Sequence, residues 1–259
     1  MSVTISGMAE ELFDALTGCT TVAPLRDRAE LTIDDAYAIS LELLKQRKAA
    51  GERVIGKKIG ATSKAVQDML GVYQPDFGFL TDRMIVDNGA TVEIAGRLIA
   101  PRAEAEIAFI LRDDLIGPGV TPADVLTATE AICPCFEIVD SRIKDWNISI
   151  IDTVADNASC GIFVLGEKRV DPRGLDLSAL RCEVFKNGAP LSSGLGSAVQ
   201  GSPLTAVAWL ANTLGSYGAP LKAGEVILSG SLVPLEPAKP GDRFESQMQH
   251  IGSVSISFC

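Results

Sequence analysis

Glu104 and Glu106 stand one residue apart in Arg102-Ala103-Glu104-Ala105-Glu106-Ile107-Ala108-Phe109-Ile110-Leu111. The run alternates with the period of a β-strand. Both carboxylates therefore share a face with Ala108 and Ile110, while Ala103, Ala105, Ile107, Phe109 and Leu111 share the other. Like charges side by side at the start of an apolar strand are costly unless something positive lies between them. A divalent cation held by oxygen ligands meets that need. For the pair alone, two solvated glutamates at a strand end are the plainer reading. A third carboxylate, Glu137, lies inside the apolar run Phe136-Glu137-Ile138-Val139, where burial would demand a partner.

Further polar residues interrupt core-like stretches. Gly56-Lys57-Lys58-Ile59-Gly60 sets Lys58 near glycines that let a ligand approach the backbone, and strand alternation sends Lys57 and Lys58 to opposite faces. At most one of them faces a site, and both could simply be exposed. Gln74-Pro75-Asp76-Phe77-Gly78 carries turn residues, with Asp76 a candidate cap. The small, hydrogen-bonding run Val154-Ala155-Asp156-Asn157-Ala158-Ser159-Cys160-Gly161 suits either a cradle for a small polar ligand or a tight structural loop.

Absences narrow the chemistry. His250 is the only histidine, which excludes zinc held by two or three histidines. A Ser-His or Cys-His nucleophile would need this one residue as its base. Neither a G-x-G-x-x-G nor a P-loop fingerprint occurs. The six cysteines read as free thiols, and Cys133-Pro134-Cys135 lacks the spacing and the second cluster of a zinc site. Carboxylate, amine, hydroxyl and metal remain.

The elements that must position these groups change character along the chain. Helical patterns cover Met8 to Leu16, Ile33 to about Ala50 after a capping box at Thr32-Ile33-Asp34-Asp35, and about Ser63 to Leu70. A short strand is expected over Val54 to Gly60, and Gly71 to Gly78 reads as a loop. From Val92 onward strands dominate, around 92–94, 103–112, 135–140, 161–165, 181–186, 225–229, 242–249 and 253–258, with hairpin turns at Asn187-Gly188 and near His250. Helices begin at Thr121-Pro122 and Ser202-Pro203. The pattern predicts a strand-rich α+β fold: a twisted antiparallel or barrel-like core with a helical N-terminal arm. The expected division is an arm with the first strand over 1–70 and a catalytic body over 71–259, the two able to act as one domain.

With 259 residues, 47% hydrophobic and 22% charged, the chain can bury a sizeable core and is not disordered. Its net charge of -10, without a basic run, argues against nucleic acid or an anionic membrane as partner. No apolar run approaches the ~20 residues that span a bilayer. The N-terminus lacks a basic start and an apolar h-region, so the expected location is cytoplasmic.

Taken in order and at their intervals, Lys58-Ile59-Gly60-Ala61-Thr62-Ser63, Gln74-Pro75-Asp76-Phe77-Gly78, Arg102-Ala103-Glu104-Ala105-Glu106, Glu137-Ile138-Val139-Asp140-Ser141-Arg142 and Asp152-Thr153-Val154-Ala155-Asp156-Asn157-Ala158-Ser159-Cys160-Gly161 are distinctive. The chain resembles the 2-keto-4-pentenoate hydratase (2-hydroxypenta-2,4-dienoate hydratase) and 4-oxalocrotonate decarboxylase family, within the fumarylacetoacetate hydrolase superfamily. The resemblance runs nearly the whole length, to Gly252-Ser253-Val254. It implies a fumarylacetoacetase-like mixed β-roll with a small helical N-terminal arm, usually a homo-oligomer. It also implies Mg2+ or Mn2+ on Glu104, Glu106 and Glu137, chelated by the carboxylate and 2-oxo oxygen of the substrate, with Lys58, Asp76 and Ser159 around that substrate.

The implied activity is a metal-dependent lyase that adds water to a 2-hydroxy-2,4-dienoate, giving a 4-hydroxy-2-oxo acid in meta-cleavage degradation of aromatic compounds. Arg142-Ile143-Lys144-Asp145-Trp146 with the Asp152 to Gly161 stretch resembles the hydratase branch. Gly117-Pro118-Gly119 also resembles decarboxylases, so 4-oxalocrotonate (2-oxo-3-hexenedioate) decarboxylase is the alternative. A non-catalytic docking partner of such a decarboxylase is a third reading, against which the intact Glu104, Glu106, Glu137 and Lys58 count.

Overall fold

The computed structural model describes residues 4–63, Gln67 and 74–259. Two helices form the arm. The first, α1 (Ile5–Gly18), is started by the Thr4 hydroxyl, which accepts from Gly7 N at 3.1 Å, and buries Met8, Ala9, Leu12 and Ala15 along one stripe. That stripe packs on α2 (Ile33–Ala49). The expected capping box opens α2: Asp35 N donates to Thr32 Oγ1 at 3.2 Å and Thr32 N to Asp35 Oδ2 at 2.9 Å. Most of the helix predicted over 63–70 lies outside the described residues.

Between the helices the arm braces a later segment. Val22 N donates to Arg142 O at 2.8 Å and Lys144 N to Val22 O at 2.9 Å. Asp152 Oδ1 accepts from Leu25 N at 2.7 Å and Arg26 N at 3.2 Å, while its Oδ2 pairs with the Arg26 guanidinium. Arg26 Nη2 also donates to Asn147 Oδ1 at 2.7 Å.

Two sheets make the body, and both mix parallel with antiparallel pairs, as the mixed β-roll implied by the resemblance requires. The larger contains β1 (Val54–Gly60), β2 (Asp76–Thr81), β3 (Ile85–Val86), β5 (Arg102–Leu111), β6 (Thr129–Val139), β7 (Cys160–Leu165) and β10 (Val226–Ser231) in the order β2-β1-β10-β5-β6-β7-β3, with β11 (Glu236–Pro237) on β5. Within it β1 runs parallel to β10, and β3 to β7. The smaller has β4 (Thr91–Val92), β8 (Arg181–Lys186), β9 (Ala189–Leu195), β12 (Arg243–Met248) and β13 (Gly252–Phe258), ordered β4-β13-β12-β8-β9. Helices α3 (Pro122–Ala128), α4 (Ile150–Ala155) and α5 (Pro203–Ser216) complete the α+β, strand-rich roll.

One face of β5 and β6 carries Ala103, Ala105, Ile107, Phe109, Phe136 and Ile138 into the main core. There Phe136 meets Phe244 of the second sheet, ring centroids 6.3 Å apart. Fully buried rings such as Phe109 and Phe136 each contribute about 1.5–3 kcal/mol. The opposite face is closed by the curl of the sheet, which brings β2 towards β7 and encloses Leu80, Met84, Ala108, Cys133, Cys135, Cys160, Phe163 and Leu228.

The sequence expectations fail in several local places, among them the unpredicted short helix α4 and the short strands β3 and β11. Asp76 begins a fully buried strand instead of closing a loop. Gly78 is there for close packing, since a Cβ would lie 2.5 Å from Asn157 O. Strand β6 starts six residues before Cys135 and carries Pro134 internally, opposite the end of β7, where Pro134 O accepts from Gly166 N at 2.8 Å. Its missing N–H falls where the neighbouring strand has ended. Strand β9 went unpredicted because it is an edge strand with exposed residues throughout much of its length. Among the described residues no helix is long and apolar enough to cross a membrane.

Candidate active site

Strand register assembles the acids. Glu104 lies directly opposite Glu137, Glu106 opposite Cys135, and Ser231 of β10 flanks Glu106 from the other side. A ligand oxygen from each of Glu104, Glu106 and Glu137 lies within 4.8 Å of the others. Glu106 and Glu137 are fully buried, and Glu104 is half-buried. Gly230 N donates to Glu106 Oε2 at 2.8 Å. Glu106 Oε1 and both Glu137 oxygens have no hydrogen-bond partner among the described residues. Buried carboxylate oxygens left without donors cost several kcal/mol unless a cation satisfies them. The three acids thus fit a hard divalent ion, which takes oxygen ligands in a group of this kind.

The one cation already among them is Lys58. Its Nζ lies 3.2 Å from Glu137 Oε1, with both side chains almost completely buried. Burial works against its charge, but Glu137, then Asp76, Cys160 and Glu104, outweigh that and raise its pKa. Burial, reinforced by Glu137, pushes Glu104 up to about 7. Glu106 is pushed well above its usual value by the same two causes in the same order, with Glu104 adding to them. Asp76 is raised chiefly by burial, against the pull of Lys58.

Lys58 reaches this place because β1 runs between β2 and β10 with alternate residues facing inward. Gly60 makes room: a Cβ there would run into Asp76 Oδ1 and lie 3.1 Å from Lys58 Nζ. Lys57 points to the other face as expected, yet it is not exposed. It is 4% accessible and ion-paired with Glu225.

Ser159 is placed by an unusual backbone. Asn157, Ala158 and Ser159 have φ of 55°, 51° and 52°, left-handed values that cost a non-glycine residue roughly 1 kcal/mol or more each. Two anchors hold the run. The Asn157 amide accepts from Phe79 N at 2.8 Å and donates to Phe79 O at 3.0 Å. Arg142 Nε donates to Asp156 Oδ1 at 2.5 Å and its Nη2 to Asp156 O at 2.6 Å. Ser159 Oγ then meets Thr153 Oγ1 at 3.0 Å, with both residues buried. The cradle and the tight loop are one object: a braced turn with its hydroxyls toward a cavity.

That cavity, of about 630 Å³, is lined by Lys58, Asp76, Glu104 and Ser159. Glu106 and Glu137 are not part of its lining. All six expected site residues are thereby brought to one region, and His250 is not among the lining residues. The cavity adds Arg102, Trp146, Thr153 and the loop Leu232–Leu235. Arg102 had a signal, because alternation puts it on the face of Glu104 two residues on. Trp146 and Leu232–Leu235 had none, since only the tertiary fold brings them here.

Cys133 and Cys135 are completely buried in the inner apolar cluster, and Cys135 Sγ donates to Glu106 O at 3.3 Å. Burial pushes the Cys133 thiol up to about 11, which suits an inert packing role. Replacing both by alanine is expected to lower stability by about 1–3 kcal/mol. Metal content and turnover should stay near wild type. Loss of metal from a folded double variant, measured by Mn2+ titration, would show that the thiols do more than pack.

The chain is 62% identical over 256 residues to 2-hydroxyhexa-2,4-dienoate hydratase of Comamonas testosteroni, covering 98% of this chain and 97% of that protein. It is 60% identical over 215 residues to 2-hydroxypent-2,4-dienoate hydratase of Pseudomonas putida, covering 83% and 97%. Among solved structures, 4-oxalocrotonate decarboxylase from Pseudomonas putida G7, complexed with magnesium and adipate, superposes with a TM-score of 0.95 at 35% identity, covering 98% of this chain and 97% of that one. Residues 51–258 match the profile described as fumarylacetoacetate (FAA) hydrolase C-terminal, and the chain belongs to that family.

Proposed function

We infer that this chain is a divalent-metal-dependent hydro-lyase that adds water to a 2-hydroxy-2,4-dienoate of the 2-oxo-4-pentenoate type, giving a 4-hydroxy-2-oxo acid in the meta-cleavage degradation of aromatic compounds. One observation carries the reading. Three carboxylates, two of them fully buried with undonated oxygens, converge beside a buried lysine at a cavity of substrate size, in a chain 62% identical to a named dienoate hydratase.

Glu104, Glu106 and Glu137 would hold Mg2+ or Mn2+, which when bound offsets negative charge developing on the 2-oxo oxygen. Lys58, kept protonated by its acidic neighbours, supplies the proton that the terminal carbon gains as the 2-hydroxyl proton is lost. Asp76, whose Oδ1 has no hydrogen-bond partner among the described residues, lies beside Lys58 to exchange protons with it. The hydroxyl pair of Ser159 and Thr153 holds the water whose OH adds at C4 while its proton goes to C3. The same proposal includes a cytoplasmic location, a homo-oligomer, association with a homologous decarboxylase, and an arm (1–70) and body (71–259) that work as one unit. The exposed edge strand β9, with Leu191 and Leu195 at 38% and 45% accessibility, supports contact between copies.

The test offers purified protein with Mg2+ two substrates, 2-hydroxypenta-2,4-dienoate and 2-oxo-3-hexenedioate. Hydration of the first, without CO2 release from the second, is expected. EDTA should abolish turnover, and Mg2+ or Mn2+ restore it. Full activity in a verified metal-free preparation would overturn the reading.

A further inference from the structure

We propose that Arg102 anchors the substrate's carboxylate and that Trp146 holds it ready to do so. This rests on the hydratase reading above. Arg102 opens β5 and lies on the inward face two residues before Glu104, so their Cα atoms are ~6.6 Å apart along the strand. Its flexible side chain can therefore reach a ligand that also meets the acids. It lines the same cavity as Glu104, Lys58 and Asp76.

Its contacts are unusual for a half-buried guanidinium. The Arg102 Cζ lies 4.4 Å from the centroid of the Trp146 ring. Among the described residues, that guanidinium has neither an ion-pair partner nor a hydrogen-bond acceptor. A ring contact stabilises the charge and fixes its place, yet it leaves N–H donors free for a carboxylate. The ring is itself fixed: Trp146 Nε1 donates to Ala100 O at 2.8 Å, and Trp146 holds φ at 54° in the segment braced by the arm.

Charge counting gives the anchor a purpose. Four carboxylates, Glu104, Glu106, Glu137 and Asp76, face one ammonium, Lys58. Even a divalent ion leaves that group one negative charge in excess, so an arriving anion meets no surplus of positive charge there. Among the described lining residues Arg102 is the remaining cation. A guanidinium fork matches a carboxylate in two parallel hydrogen bonds. Ile148 and Leu232–Leu235 give the same cavity an apolar wall, suited to a methyl or vinyl end and not to a second carboxylate.

Arg102→Met, Arg102→Lys and Trp146→Leu test this in the metal-loaded enzyme. The readouts are kcat and KM on 2-hydroxypenta-2,4-dienoate, calorimetric binding of saturated 2-oxopentanoate and of its uncharged amide, and Mn2+ affinity. Arg102→Met should weaken 2-oxopentanoate binding and raise KM by ~10–100-fold, the scale of a charged hydrogen-bond pair, with a smaller change in kcat. It should also reduce the preference for the acid over the amide to the part that the metal supplies, while Mn2+ affinity stays at the wild-type value. Arg102→Lys should fall between, because it keeps charge and loses the fork, and Trp146→Leu should show a weaker form of the same defect. Should the methionine variant fail to fold, the lysine variant carries the test alone, and wild-type KM with an unchanged acid preference would overturn the anchor. So would a defect confined to dicarboxylates, which would place Arg102 at the tail. A wild-type enzyme that binds 2-oxopentanoate but hydrates no dienoate would refute the hydratase reading, and the acid-amide comparison would still decide the anchor.

Discussion

Glu137→Gln is expected to remove both metal binding and turnover while leaving the roll folded. Both Glu137 oxygens lack hydrogen-bond donors, and Glu104 stands directly across from it on the neighbouring strand. An amide keeps the shape and supplies one weaker oxygen ligand, so Mn2+ affinity should fall by ~100-fold or more and activity with it. Mg2+ should raise the melting temperature of the wild type and not of the variant, because only a ligand that binds the folded state stabilises it. Protons compete for the same site. Glu104 is pushed up from 4.5 to about 7, so between those values the folded metal-free chain holds a proton that the unfolded chain has released. Metal-free stability should therefore fall as pH rises across that window, and Mn2+ affinity should weaken as pH drops through about 7. Wild-type Mn2+ affinity in Glu137→Gln would remove Glu137 from the ligand set.

Lys58→Met should lower kcat by ~100-fold or more, the range typical of a general acid or base, while the variant still binds Mn2+. The methionine side chain approaches lysine in length but carries no proton to give. Lys57→Met is the informative control. It strands the largely buried Glu225 without its ion-pair partner, so it should cost about 1–3 kcal/mol of stability. Because Lys57 lies on the opposite face of β1, kcat should hardly change. A kcat defect in Lys57→Met with normal turnover in Lys58→Met would transfer the role to the other face of the strand.

These effects were legible in the sequence where the determinants are local. Strand alternation alone puts Glu104 and Glu106 on one face and separates Lys58 from Lys57, and the backbone bears out both. The Thr32 capping box and the helix start at Thr121-Pro122 likewise depend on neighbouring residues. Illegible features depend on distant partners. The burial of Lys57 is set by Glu225, 168 positions away. Asp76 and Gly78 carry turn chemistry but are drawn into a strand by pairing with Gly60 and Lys58 of β1, while Asn157 bonds Phe79 on the other edge as a neighbouring backbone would. Ser159 could be named by resemblance, but its left-handed placement depends on Arg142, which no short-range rule joins to Asp156. Trp146 reaches the cavity only through the fold.

The arm's brace on the segment from Arg142 to Asp152 reaches the rim of the pocket. Val22, Leu25 and Arg26 touch no acid of the site, yet they fix the backbone that presents Trp146 and Ile148 to the cavity. They also precede residue 51, where the family match begins. Of the three, Val22 and Leu25 brace that segment through backbone groups, so a change of side chain keeps those hydrogen bonds, whereas Arg26 contributes its guanidinium and is the position where substitution would loosen the pocket's rim while every acid stays untouched.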